Sequence, residues 1–376
     1  MGNIRVGILS MQRIYNYGSS LQAYALKKIL EDLGCDVQFV DYEPGECLIQ
    51  SSASKSGLNR KISKAFEVFK YKAPLKDRLS YIDYKRTYAD KFYPLLELSD
   101  ELNICPDIDL LIIGSDEVFN CVQDNANVGF TPTLFGYGIE AKRKITYAAS
   151  FGSTTLDKLI DYEVDKDVTT WLSELNAISV RDENSRSIVS ELIGTEPELH
   201  VDPVLAYDFA DEFNQILGDV DKDDYIVVYG YSGRLCDEEC QAIRRYADAR
   251  SLKVLNIGGV QGCCDQFINC SPFEVLAYFK HAKAIITATF HGTIFASRME
   301  VPFATFMREG LGGNKQKLTS LLKVLELTDR EVTSVKELET ILETPIEWET
   351  TEKAIEIARE RTYQYLRREI EACIQK

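Results

Sequence analysis

Short apolar runs recur along this chain, most of them ending on small or polar residues. They are Ile4–Leu9, Val37–Asp41, Asp109–Ile113 before Gly114-Ser115-Asp116, Lys144–Ala149 before Ser150-Phe151-Gly152, Ala177–Arg181, Tyr225–Tyr229, Lys253–Ile257 and Ala284–Thr287. Such runs suit strands buried on both faces of a parallel sheet. Between them lie segments with helical spacing: Leu21–Leu33 closed by Gly34, Val168–Glu174, a helix opening at Asp182–Ser187, and Glu238–Ala249. Alternating strands and helices build α/β layers. At 376 residues with 45% hydrophobic side chains, the chain exceeds what one core usually organises. The alternation pauses after Leu205 and resumes at Tyr225, which predicts one domain over residues 1–205 and a second over 206–345. An amphipathic helical segment, 346–376, then packs back on them. The polar, Lys-rich stretch at about 51–100 reads as a helical insertion in the first domain.

A formal net charge of −16 excludes a general nucleic-acid or anionic-membrane binder, since most of the surface would repel either. Any anionic substrate must meet a local cluster of positive groups. No window approaches the roughly 18 apolar residues of a membrane span, and Met1–Arg5 lacks a secretory signal's apolar stretch. A cytoplasmic location is the expectation. The ten cysteines are scattered through regular strand and helix patterns and read as reduced thiols. Cys236 with Cys240, and Cys263-Cys264 with Cys270, come nearest to ligand spacing, but neither forms paired Cys-x-x-Cys units and no histidine sits beside them, so no metal is expected.

Four strand ends carry the candidate chemistry. Asn16-Tyr17-Gly18-Ser19-Ser20 joins a strand to a helix, and Gly18 can let backbone N–H groups approach an anion or a hydroxyl-rich ligand; an ordinary tight turn with a serine cap explains it equally well. Ser115, Asp116 and Glu117 end another strand, where the carboxylates can accept or position a substrate proton, or Ser115 or Asp116 can simply cap a helix. Arg181 can bind a carboxylate or phosphate through two parallel hydrogen bonds, or pair with Asp182 or Glu183. His291, in Thr289-Phe290-His291-Gly292-Thr293, stands at a strand end with a helix starting near Gly292, and is the acid–base candidate among three histidines. His200, within a strand, and His281, late in a helix, read as structural.

Taken in order, Asn16–Leu26, Ile113–Asp116, Ser179–Ser185, Asp202–Leu205 and Phe290–Thr293 resemble the polysaccharide pyruvyl transferase family over most of residues 1–330. The resemblance implies a GT-B-like architecture, two Rossmann-like domains facing each other across a cleft, with the second on the donor side. It implies phosphoenolpyruvate as donor, no further cofactor, and a sugar or lipid-linked glycan precursor of a surface polysaccharide as acceptor, with phosphate released and peripheral contact with the inner face of the membrane. His291 would contact the donor and serve as general acid, with Asp116 as base or acceptor-positioning group; Arg181, Gly292, Thr293, Lys315 and Lys317 would also bind the donor; Asn16, Tyr17, Gly18, Ser19, Ser115 and Asp116 would line the acceptor side. Lys315 and Lys317 read equally as solvated surface lysines. Part of the family carries an arginine two residues before the histidine, where this chain has Thr289, so either Arg308, Lys315 or Lys317 supplies the second cation or the chain belongs to a branch with a different donor. The competing expectations are a GT-B glycosyltransferase using a nucleotide-sugar and a non-catalytic glycan- or anion-binding homologue.

Overall fold

The computed structural model describes residues 4–49, 72–216, 223–307 and 314–375. β1 (Arg5–Leu9), β2 (Asp36–Val40), β3 (Leu110–Asp116), β4 (Arg143–Ala149), β5 (Ser179–Val180) and β6 (Glu198–Leu199) form a parallel sheet in the order β2-β1-β3-β4-β5-β6. β7 (Tyr225–Tyr229), β8 (Lys253–Ile257), β9 (Gln266–Phe267), β10 (Ile285–Thr287), β11 (Phe303–Phe306) and β12 (Glu331–Val332) form another, in the order β12-β11-β10-β7-β8-β9. Each is a Rossmann-like half. The order reverses between β1 and β3 in one sheet and between β7 and β10 in the other, and at such points the loops beyond the strands' carboxyl ends part to leave a crevice.

The central strands are continuous apolar runs because both their faces are covered. β3 and β7 are buried at every position. One apolar cluster covers the outer face of the first sheet, around Leu111, Ile113, Phe119 and Phe151. A second covers that of the other sheet, around Ile226, Val228 and Ile286. The largest runs through both halves, from Leu26 and Tyr84 to Phe279 and Phe295, and takes in Tyr365 and Leu366 near the end of the chain.

Several helices set up the cleft. α1 (Tyr17–Asp32) starts four residues before its apolar spacing becomes visible, because Asn16 Oδ1 accepts the Gly18 N–H at 2.8 Å and caps it. α2 (Leu75–Phe92) belongs to the stretch read as an insertion, of which residues 51–71 lie outside the described residues. Its Tyr84 and Tyr88 pack on Tyr17, and Tyr84 also on Phe267, so it touches both halves. α3 (Glu183–Ile193) is capped by Asp182, α4 (Pro203–Ala206) by Asp202 and α5 (Phe290–Arg298) by Thr289. α6 (Asn314–Val324) and α7 (Trp348–Ile374) follow.

α7 crosses back to the first half. Tyr365 donates to the Thr146 carbonyl at 2.8 Å, Thr362 Oγ1 and the Tyr147 hydroxyl lie 2.9 Å apart, and Arg143 pairs with Glu369. β5 is shorter than the apolar run 177–181, with Ala177 making only an isolated bridge to Ile145. His200 lies just beyond β6 rather than within a strand; its Nδ1 is 2.8 Å from Ser179 Oγ, and burial pulls the imidazole down to about 4. His281 is exposed at the end of its helix. Among the described residues, no helix is long and apolar enough to cross a membrane, no disulfide links the cysteines, and no group of three or more His, Cys, Asp and Glu is placed to hold a metal ion.

Candidate active site

Between the two switch points lies a cleft of about 360 Å³, reached by the loops after β1, β3 and β5 on one side and β7 and β10 on the other. That volume falls within the usual range for small-molecule sites. A carboxylate after β6, Asp202, organises its floor. Its Oδ1 caps α4 by accepting the Val204 N–H at 3.1 Å. Oδ2 accepts from Ser115 Oγ at 3.1 Å and from Arg181 Nη1 at 2.8 Å, and His291 Nε2 lies 3.4 Å away. Burial pushes the Asp202 carboxyl up, but His291, Arg181 and the Val204 N–H outweigh it and hold the group below its ordinary value. The imidazole Nε2 is buried and makes no hydrogen bond among the described residues, and the carboxylate facing that edge of the ring is Asp202, 3.4 Å away.

Arg181 pairs with neither Asp182 nor Glu183. Its Nη2 lies 3.2 Å from Asp116 Oδ1, its guanidinium sits 4.6 Å over the Phe290 ring, and Asp182 is spent on the cap of α3. Asp116 caps no helix. It ends β3 in the left-handed region, φ 71°, a conformation that costs a residue with a side chain about 1 kcal/mol. Its Oδ2 accepts from Ser19 Oγ at 2.5 Å. The neighbouring Glu117 bonds Lys317 and, at 2.8 Å, Asn120. Burial pushes its carboxyl up, yet Lys317, Arg181 and Asn120 bring it down to about 2. Lys317 is therefore a buried cleft residue of α6 and not a solvated surface lysine.

Not every candidate faces the cleft. Ser115 is buried beneath it and serves Asp202. The Gly292 N–H is taken by Thr289 Oγ1 at 3.1 Å, and Thr293 is buried with its hydroxyl on the Thr289 carbonyl and 3.0 Å from Thr305 Oγ1. Both are engaged away from a ligand because α5 starts at Phe290, two residues before the position its sequence suggested. Lys315 is exposed and outside the cleft lining, and Arg308 lies outside the described residues. Gly18 does not offer its N–H either, since Asn16 holds it; its Cα is pressed against the His291 ring, where a side chain has no room. Tyr17 donates to the Cys270 carbonyl at 2.8 Å and Asn16 Nδ2 to the Tyr231 hydroxyl at 2.6 Å, so both join the halves.

Sequence reasoning counted Glu117 among the carboxylates at the end of β3, but assigned no role to Asp202, Tyr231, Arg234 or Lys85, all of them in or under the cleft. Asp202-Pro203 signals a helix cap, which is true of one oxygen and silent about the other. Arg234 and Lys85 carry no local signal, since only the tertiary fold brings them to the site.

A family model described as polysaccharide pyruvyl transferase matches residues 16–309. No curated protein is significantly similar in sequence. Among solved structures, UGT89C1 of Arabidopsis thaliana complexed with UDP-L-rhamnose aligns over 98% of this chain and 100% of that chain, with a TM-score of 0.50 at 12% identity. The same protein complexed with UDP gives the same coverage and TM-score at 11% identity. At that identity the likeness is one of fold, the GT-B arrangement of two facing α/β halves.

Proposed function

Because the chain belongs to the polysaccharide pyruvyl transferase family, we propose that its cleft moves a pyruvyl group from phosphoenolpyruvate to a sugar hydroxyl of a surface polysaccharide or its precursor, with release of phosphate. The observation that carries this reading is His291, aligned by the buried anion Asp202 in a cleft that also holds Asp116 and several cations. The reaction needs a proton at the donor's methylene carbon, after which C2 is electrophilic and a sugar hydroxyl attacks it as it loses its own proton. When a second hydroxyl of the sugar displaces phosphate by breaking the C2–O bond, the product is a ketal.

His291 is the general acid toward the methylene carbon, and Asp202 fixes its ring. Asp116, its two oxygens held by Arg181 and Ser19, receives the hydroxyl proton. Arg181 and Lys317 hold the carboxylates Asp116, Asp202 and Glu117 in place beneath the donor. A cytoplasmic site of action, with the acceptor presented at the inner face of the membrane, suits this substrate pair. A nucleotide-sugar glycosyltransferase rests on fold alone, and fold does not fix chemistry.

Incubated with phosphoenolpyruvate and an extract of polysaccharide precursors, the protein is expected to release phosphate. His291→Ala should cut that rate about 100-fold or more, while phosphoenolpyruvate still raises the melting temperature of the variant. Nucleotide release from a sugar donor, or an undiminished rate in His291→Ala, would overturn the reading.

A further inference from the structure

The cations lining the cleft fall into two sets. Arg181 is matched by Asp116 and Asp202, and Lys317 by Glu117, so the floor carries no surplus positive charge. Lys85 of α2 and Arg234, in the loop after β7, are paired with no carboxylate among the described residues, and both line the same cavity. Lys85 Nζ donates to the Tyr15 carbonyl at 2.8 Å and lies 5.4 Å from the Tyr84 ring centre. Arg234 lies 5.1 Å over Tyr231, whose hydroxyl accepts from Asn16 at 2.6 Å. The two cations thus come from opposite halves, Lys85 bonded to Tyr15 and Arg234 stacked on the ring whose hydroxyl accepts from the next residue, Asn16.

Burial with no counter-charge pulls the Lys85 amine down to about 8, and an anion beside it would relieve that desolvation. A chain of net charge −16 has little reason to bring two unmatched cations to one cavity unless an anion completes them. The planar guanidinium suits two oxygens of a phosphate, and the ammonium adds a point charge.

We propose that Lys85 and Arg234 form a phosphate subsite, one cation from each half, for a phosphate group carried by a substrate of the cleft. The proposal rests on the transferase reading, in which the phosphate of phosphoenolpyruvate is one occupant; a phosphate linking the acceptor sugar to its carrier has the same chemistry.

Inorganic phosphate is the probe, titrated calorimetrically into the full chain and into Lys85→Gln, Arg234→Gln and Arg86→Gln, the last an exposed arginine of the same helix. Each cleft variant should weaken phosphate binding about tenfold, with its melting temperature unchanged, while Arg86→Gln binds as the parent does. In turnover, a raised KM for phosphoenolpyruvate in both cleft variants assigns the subsite to the donor. A raised KM for a phosphorylated acceptor alone assigns it to the acceptor. Either result supports the subsite. Phosphate binding that is absent from the parent chain, or equal in all variants, overturns it. Phosphate bound through these residues in a chain that never turns over phosphoenolpyruvate would instead overturn the transferase reading and leave the subsite standing.

Discussion

Asp202→Asn should lower stability by about 3 kcal/mol and turnover of the folded molecules by about 100-fold or more. The carboxylate is fully buried, and three groups converge on its Oδ2: Ser115, Arg181 and His291. Asparagine keeps the shape and can still cap α4, but it removes the negative charge. Arg181 is left with Asp116 alone and His291 with no anion behind it. Removing one partner of a buried pair costs more than the pair itself contributes, because the other charge stays buried. Chemical unfolding reads the first effect; phosphate release per folded molecule, followed against pH, reads the second. A purely structural Asp202 would change the unfolding midpoint and leave the pH–rate profile of the folded fraction where it was.

Gly18→Ala is expected to lower turnover and stability together. An added methyl group would overlap the Cγ and Nδ1 of His291, and the backbone of α1 cannot retreat, since it is buried and capped by Asn16. The ring must move. Misplacing a catalytic group by about 1 Å can cost about 100-fold in rate, whereas alanine is intrinsically better than glycine in a helix by up to about 1 kcal/mol. Turnover should therefore fall about 100-fold, and the melting temperature should fall as well, because forcing the buried His291 Cβ and ring aside costs about 1–3 kcal/mol, more than the helix gain returns. A Gly18→Ala variant with parental turnover would show that the His291 ring is not the acid, or that its position is not critical.

Much of the fold is legible in the sequence because its central strands announce themselves. Val6–Leu9, Leu110–Ile113 and Tyr225–Tyr229 are buried on both sides, and a continuous apolar run has few other uses. Helix starts are harder to read. Tyr17, Gly18, Ser19 and Ser20 are buried without any apolar period, so only the Asn16 cap marks where α1 begins. At the site, His291, Arg181 and Asp116 stand out as polar residues at strand ends, and the fold brings them together. What they touch is not local information. Arg181 passes over its neighbours Asp182 and Glu183 for carboxylates 65 and 21 residues away. Lys317 looks like a surface lysine until α6 carries it against Glu117.

The return of α7 bears on the order in which the chain can fold as it is made. Domains ordinarily fold as units during synthesis, the N-terminal one first. Here Tyr365, Leu366, Ile370 and Cys373 belong to the same apolar cluster as Ile145 and Tyr147 of β4. The first half to emerge from the ribosome is thus missing part of its core until residues beyond 365 have been added, whereas the sheet built from β7 to β12 is complete earlier. Newly made chains should pass through a stage in which the later half is ordered while the earlier one still exposes the apolar surface that α7 will cover.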